Sequence, residues 1–96
     1  DGRRINFKTF EATGPGGMAP LTHKECMVMK YLIERAGEVV SRDQLLDAVW
    51  GYHTFPTNRT IDNFILKLRK VLEDDPKNPR YIETIRGVGY RFSRRN

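Results

Sequence analysis

Ninety-six residues, 39% hydrophobic and 30% charged, suit one folded domain with a small core, not a disordered chain. No apolar run approaches the ~20 residues of a membrane span, and no signal peptide is visible, so no membrane-spanning helix and no membrane partner is expected of these residues. The net charge is +5, and its placement is uneven.

Residues 1–56 hold seven Lys/Arg and seven Asp/Glu, whereas residues 57–96 hold ten and five, so all of the excess lies in the last part of the chain. A basic region of this kind is the electrostatic footprint of a polyanion ligand, or simply a solvated surface of high pI. Charge alone does not choose between them. The lone Cys26 cannot close an internal disulfide, which fits a reducing, cytoplasmic compartment. The first residue is Asp1, not Met. The chain therefore reads as a piece of a longer or processed protein, with an N-terminal partner domain outside it.

In chain order, Ile5, Phe7 and Phe10 alternate with polar residues as in short half-buried strands. Gly14-Pro15-Gly16-Gly17 breaks the chain, and Met18 to Leu21 forms a return strand. Thr22 and Glu25 have capping-box spacing and open a first helix that runs to about Arg35 and stops at Gly37. Cys26, Met29, Tyr31, Leu32 and Ile33 give that helix more than one apolar side. Val39-Val40 reads as a short extended linker. Ser41 and Gln44 make a second capping box, opening a helix that turns Leu45, Leu46, Val49 and Trp50 inward and ends at Gly51. A loop with Tyr52, His53, Thr54 and Phe55 follows. Thr57 or Asn58 caps a third helix, predicted over 58–73, and Pro76 lies beyond its end.

The third helix has two faces. Ile61, Phe64, Ile65, Leu68 and Leu72 recur at helical spacing and form an apolar stripe. Arg59, Asn63, Lys67 and Lys70 fall on the opposite side, with Leu66 among them. Asn63 offers a donor and an acceptor that match adenine N6 and N7, and Arg59 suits phosphate or guanine. Lys67 and Lys70 suit phosphates. Leu66 either meets a thymine methyl or packs against the hairpin or the long turn before the helix.

Residues 81–85 and 90–92 return to strand chemistry around Gly87-Val88-Gly89, a tight hairpin turn. Arg86 at its tip can enter a minor groove, where negative potential is deepest, and Thr84 and Tyr90 carry hydroxyls suited to phosphate. The order of strands, three helices and hairpin is an α+β winged helix-turn-helix, with the hairpin as the wing. No cofactor is implied and no catalytic set appears. His23 and His53 lack partners at metal-ligand spacing, Asp74 and Asp75 have nothing to pair with for acid–base work, and no Gly-x-x-x-x-Gly-Lys run exists. The alternative to DNA binding is a winged helix used as a protein-interaction module, its basic face against an acidic partner.

The chain resembles the C-terminal DNA-binding domain of OmpR/PhoB-type two-component response regulators over residues 21–92. The resemblance is carried by Leu21-Thr22-His23-Lys24-Glu25, Val39 to Leu46, Val49-Trp50-Gly51, Arg59-Thr60-Ile61-Asp62, Leu68 to Glu73, and Thr84 to Phe92. It implies a winged helix with a four-stranded N-terminal sheet. It also implies DNA contacts at Arg59, Lys67, Arg69, Thr84, Arg86 and Tyr90, with Arg69 added to the wheel's set. The loop holding Tyr52, His53, Thr54 and Phe55 would lie where such regulators touch RNA polymerase, although Tyr52 and Phe55 equally suit a core. A receiver domain with its cognate sensor kinase, and tandem dimers on direct-repeat DNA, follow from the same resemblance. So does the alternative of the same domain in a membrane-linked or otherwise differently fused regulator without a receiver. Two departures stand out. Phe64 and Leu66 occupy recognition positions where relatives often carry His and Arg or another polar residue, and the region around Gly14-Pro15-Gly16-Gly17 is shorter and richer in glycine than the family pattern.

Overall fold

A computed structural model of the chain describes residues 3–51 and 57–93. The elements run β1 (Arg4–Asn6), β2 (Glu11–Gly14), β3 (Gly17–Pro20), α1 (His23–Glu34), β4 (Val39–Ser41), α2 (Arg42–Val49), α3 (Asn58–Leu72), β5 (Ile82–Ile85) and β6 (Gly89–Phe92). Two antiparallel sheets flank the helices, one ordered β1-β2-β3 and the other β4-β6-β5. The first has three strands among the described residues, where the family resemblance implies four. The expected strand through Phe7 ends at Asn6, because the Asn6 side-chain oxygen accepts the amides of Lys8 and Thr9 and turns the chain out of the sheet. Phe7 and Phe10 are left exposed.

Both capping boxes form. Thr22 accepts the amide of Glu25 while Glu25 accepts that of Thr22, and Ser41 and Gln44 do the same. Thr57 occupies the cap position of α3 without a side-chain hydrogen bond. Val39-Val40 is not a linker. It forms β4, pairing with β6 so that Val40 lies opposite Tyr90. The pairing needs Gly89, since a side chain there would run into the Val40 carbonyl. At the wing turn Gly87 adopts φ +76°, which a side chain disfavours.

The core is built from α1 (Cys26, Val28, Met29, Leu32), α2 (Leu45, Val49) and α3 (Ile61, Ile65, Leu68, Val71, Leu72), and Val40, Ile82 and Tyr90 of the second sheet close it. Trp50 is half-buried at its margin, stacked at a tilt on Phe64 with ring centroids 5.3 Å apart. The N-terminal sheet seats itself on the far end of α3. The Gly16 amide donates to the Val71 carbonyl at 3.0 Å, and Arg3 Nε donates to the Leu72 carbonyl at 2.5 Å. A side chain at Gly14 or Gly16 would meet the α3 backbone, so the glycines that break the sequence pattern allow this close approach. The last carbonyls of the helix thus find partners despite being enclosed.

A candidate nucleic-acid interface

The apolar stripe of α3 faces inward as its spacing predicts, with Ile61, Ile65 and Leu68 fully buried. The opposite side carries Arg59, Asn63, Leu66 and Lys70, all exposed, and Leu66 retains 54% of its surface. At the hairpin tip Arg86 is exposed, beside Val88 at 47%. Arg59, Lys70 and Arg86 have no acidic partner among the described residues, so their charge is free to meet a ligand.

Four other predicted contact residues are held by the protein itself. Phe64 packs on Trp50. Lys67 donates to Glu25 of α1 at 2.9 Å, yet keeps 41% of its side chain exposed. Arg69 is buried, and its guanidinium donates to the Ile82 carbonyl at 3.0 and 2.8 Å and to the Thr84 hydroxyl at 2.6 Å. Tyr90 is only 4% exposed and its hydroxyl donates to Asp62 at 2.5 Å. Thr84 remains exposed at the edge of this set. Tyr52, His53, Thr54 and Phe55 lie outside the described residues.

Three carboxylates, none of them assigned from the sequence to this surface, organise it. Asp62 accepts from both Tyr90 and the Arg42 Nε, the latter at 2.9 Å. Burial works to raise the Asp62 pKa, but the hydrogen bonds from Tyr90 and Arg42, with the charges of Arg42 and Arg69, outweigh it and hold the carboxyl below its ordinary range. Burial, reinforced by Asp62, pushes the Tyr90 hydroxyl upward, so it stays protonated and keeps donating. Burial lowers Arg69 somewhat, against the opposing influence of Tyr90, Glu73 and Asp62. Glu73, 2% exposed at the end of α3, accepts the amides of Arg80, Tyr81 and Ile82 and so ties the helix to the first wing strand. Glu25 both completes the α1 capping box and pairs with Lys67. Glu25 and Lys67 are too far apart in the chain for pattern reading to join them. The one legible signal was Arg69, which lies at the edge of the basic face.

No group of three or more His, Cys, Asp or Glu placed to hold a metal occurs among the described residues, and no described helix is long and apolar enough to cross a membrane.

A helix with a free cationic and amide-bearing face, wedged between a preceding helix and a β-hairpin with a cationic tip, is the architecture of a winged-helix DNA-binding domain. The chain belongs to the family described as "Transcriptional regulatory protein, C terminal", whose model matches residues 16–92. Among solved structures it is similar to the response regulator DrrB of Thermotoga maritima, an OmpR/PhoB homologue, with 39% identity and a TM-score of 0.80 over 97% of this chain and 42% of DrrB. This chain therefore spans less than half the length of DrrB. It is similar to the DNA-binding domain of CpxR from E. coli, with 32% identity and a TM-score of 0.71 over 97% of this chain and 91% of that one. The DNA-binding domain of the response regulator AdeR, solved in complex with an intercistronic region, is 25% identical with a TM-score of 0.70, over 97% of this chain and 95% of that one. The chain is thus an OmpR/PhoB-type DNA-binding domain of the response-regulator class, a non-enzymatic domain of transcriptional regulatory proteins.

Proposed function

We propose that α3 is a recognition helix laid in the major groove of double-stranded DNA, with the wing placing Arg86 in the adjacent minor groove. The observation that carries this reading is the set of exposed groups on those two elements that have no partner among the described residues: Arg59, Asn63, Leu66 and Lys70 on α3 and Arg86 on the hairpin. Arg59, Lys70 and the half-free Lys67 supply phosphate contacts, Asn63 reads a base edge, and Leu66 meets a thymine methyl. Thr84 adds a hydroxyl beside the wing strand. Phe64, Arg69 and Tyr90 act mainly by shaping the surface.

In this reading the domain is the cytoplasmic output module of a two-component response regulator. A receiver domain and its sensor kinase control it, two copies bind direct repeats in tandem, and the segment with Tyr52, His53, Thr54 and Phe55 contacts RNA polymerase. The likeness to the response regulators DrrB and AdeR supports the assignment to a response regulator.

Titrating binding of a duplex against salt tests the core of the proposal. Four cations on the reading surface give a slope of log affinity on log salt of about −3 to −4 per domain. Arg86→Ala should lower affinity by about 1–3 kcal/mol. A domain that shows no salt-dependent binding to any duplex would instead be a protein-interaction module.

A further inference from the structure

Asp62 is an acidic residue on the same helix as the cationic reading face. By charge alone, a carboxylate near DNA repels phosphate, and its removal strengthens binding. Its contacts give it a different role. One Asp62 oxygen accepts both the Tyr90 hydroxyl at 2.5 Å and the Arg42 Nε at 2.9 Å. Arg42 opens α2, immediately after β4, and Tyr90 lies in β6. The guanidinium groups of Arg42 and Arg69 both lie within cation–π reach of the Tyr90 ring, at 5.1 and 5.6 Å from its centroid. Arg69, two turns along α3 from Asp62, extends the set to β5 through Ile82 and Thr84. Thr84 in turn lies opposite Tyr90 in the hairpin register. The cluster therefore joins α2, α3 and both wing strands. Among the described residues no backbone hydrogen bond joins α3 to β5 or β6, so side chains carry the polar link between the two DNA-facing elements.

We propose that Asp62 is a positioning residue for the wing: through Tyr90, Arg42 and Arg69 it fixes the angle between α3 and the hairpin, so that Arg86 and the recognition helix engage one duplex together. Removing this carboxylate weakens binding to a selected site even though it makes the protein more cationic. The inference rests on the reading that both α3 and the wing engage DNA. It adds to that reading a residue that touches neither groove.

The test is a double-mutant cycle on a duplex selected from a random pool, measured by fluorescence anisotropy at fixed salt with wild type, Asp62→Ala, Arg86→Ala and the double variant. Asp62→Ala should bind about tenfold more weakly, and Arg86→Ala should cost about tenfold in the wild type but only about twofold in the Asp62→Ala background. A stability defect alone scales both members of a background by the same folded fraction and leaves the Arg86 effect intact. The proposal is overturned if Asp62→Ala binds as tightly as wild type or more tightly, or if Arg86→Ala costs the same factor in both backgrounds. If Arg86→Ala has no effect on the wild type, the wing-in-groove reading falls and this inference with it. Should Asp62→Ala not fold, Tyr90→Phe keeps the ring and removes only the hydroxyl. The same loss of the Arg86 effect is then expected, and a retained effect overturns the proposal.

Discussion

Leu66 allows a test at the level of a single methyl group. It stands 54% exposed on the face of α3 proposed to read DNA, one turn from Asn63 and one turn from Lys70. If it meets a thymine C5-methyl, replacing that thymine by deoxyuridine removes the contact and changes nothing else in the base's hydrogen bonding. Burying one methyl-sized group contributes about 0.8 kcal/mol, which corresponds to about a fourfold change in affinity. The effect also has a place. Three residues of helix rise about 4.5 Å, close to the base-pair spacing of about 3.4 Å. The sensitive thymine should therefore lie within one or two steps of the base whose preference Asn63→Ala relaxes. The assay is a deoxyuridine scan of a selected duplex against wild type and Leu66→Ala. We expect one position per half-site where wild type loses about fourfold and Leu66→Ala loses nothing. A scan in which wild type and Leu66→Ala show the same profile would refute the contact, as would a sensitive thymine far from the Asn63 position.

Two further outcomes follow from the carboxylates. Glu73→Ala deprives the amides of Arg80, Tyr81 and Ile82 of their acceptor. At about 1–3 kcal/mol per buried unsatisfied group, partly relieved by water, the domain should lose about 3 kcal/mol in denaturant unfolding, and a loss below about 1 kcal/mol would show that those amides find other partners. Asp62 has a depressed pKa in the folded state, so its contribution is present above the ordinary carboxylate pKa of about 3.9 and is lost as pH falls through the lower folded value. The melting temperature of wild type should therefore exceed that of Asp62→Asn near neutrality, and the gap should close in acid. A gap that stays constant down to acid unfolding would contradict the coupling.

What the sequence disclosed is what nearby residues decide. The two capping boxes are pairs three residues apart, and both form. The stripe of α3 is set by helical periodicity, and Ile61, Ile65 and Leu68 are buried accordingly. The Gly87 turn is a local conformational demand, met at φ +76°. What the sequence left undisclosed concerns distant partners. Val39-Val40 carries no sign that β6, some fifty residues on, will pair with it. A helical wheel sorts Lys67 and Arg69 by angle alone, and cannot see Glu25 on α1 or the Ile82 carbonyl on β5 waiting for them. Tyr90 has the same hydroxyl whether it serves phosphate or Asp62, and only the packing of β6 against Val40 and α3 turns it inward.

The three carboxylates share a physical logic. An apolar stripe can hold a helix against a core while tolerating small slides and rotations, because dispersion contacts are many and individually weak. A helix that reads bases cannot tolerate them, since a displacement of half a base-pair step, about 1.7 Å, would take a base-reading side chain, as proposed for Asn63, out of hydrogen-bonding reach. Hydrogen bonds to charged groups are directional and short-ranged, so they fix what packing leaves loose. Here they are spread along α3: Asp62 near its start to α2 and β6, Lys67 in its middle to Glu25 of α1, and Glu73 at its end to the chain entering β5. Arg3 and Gly16 add a clasp at the last carbonyls. Arg69, buried for this purpose, is withdrawn from simple phosphate contact, whereas Lys67 keeps 41% of its side chain exposed. That trade lowers raw affinity but holds the remaining reading residues in register, and register is where sequence preference originates.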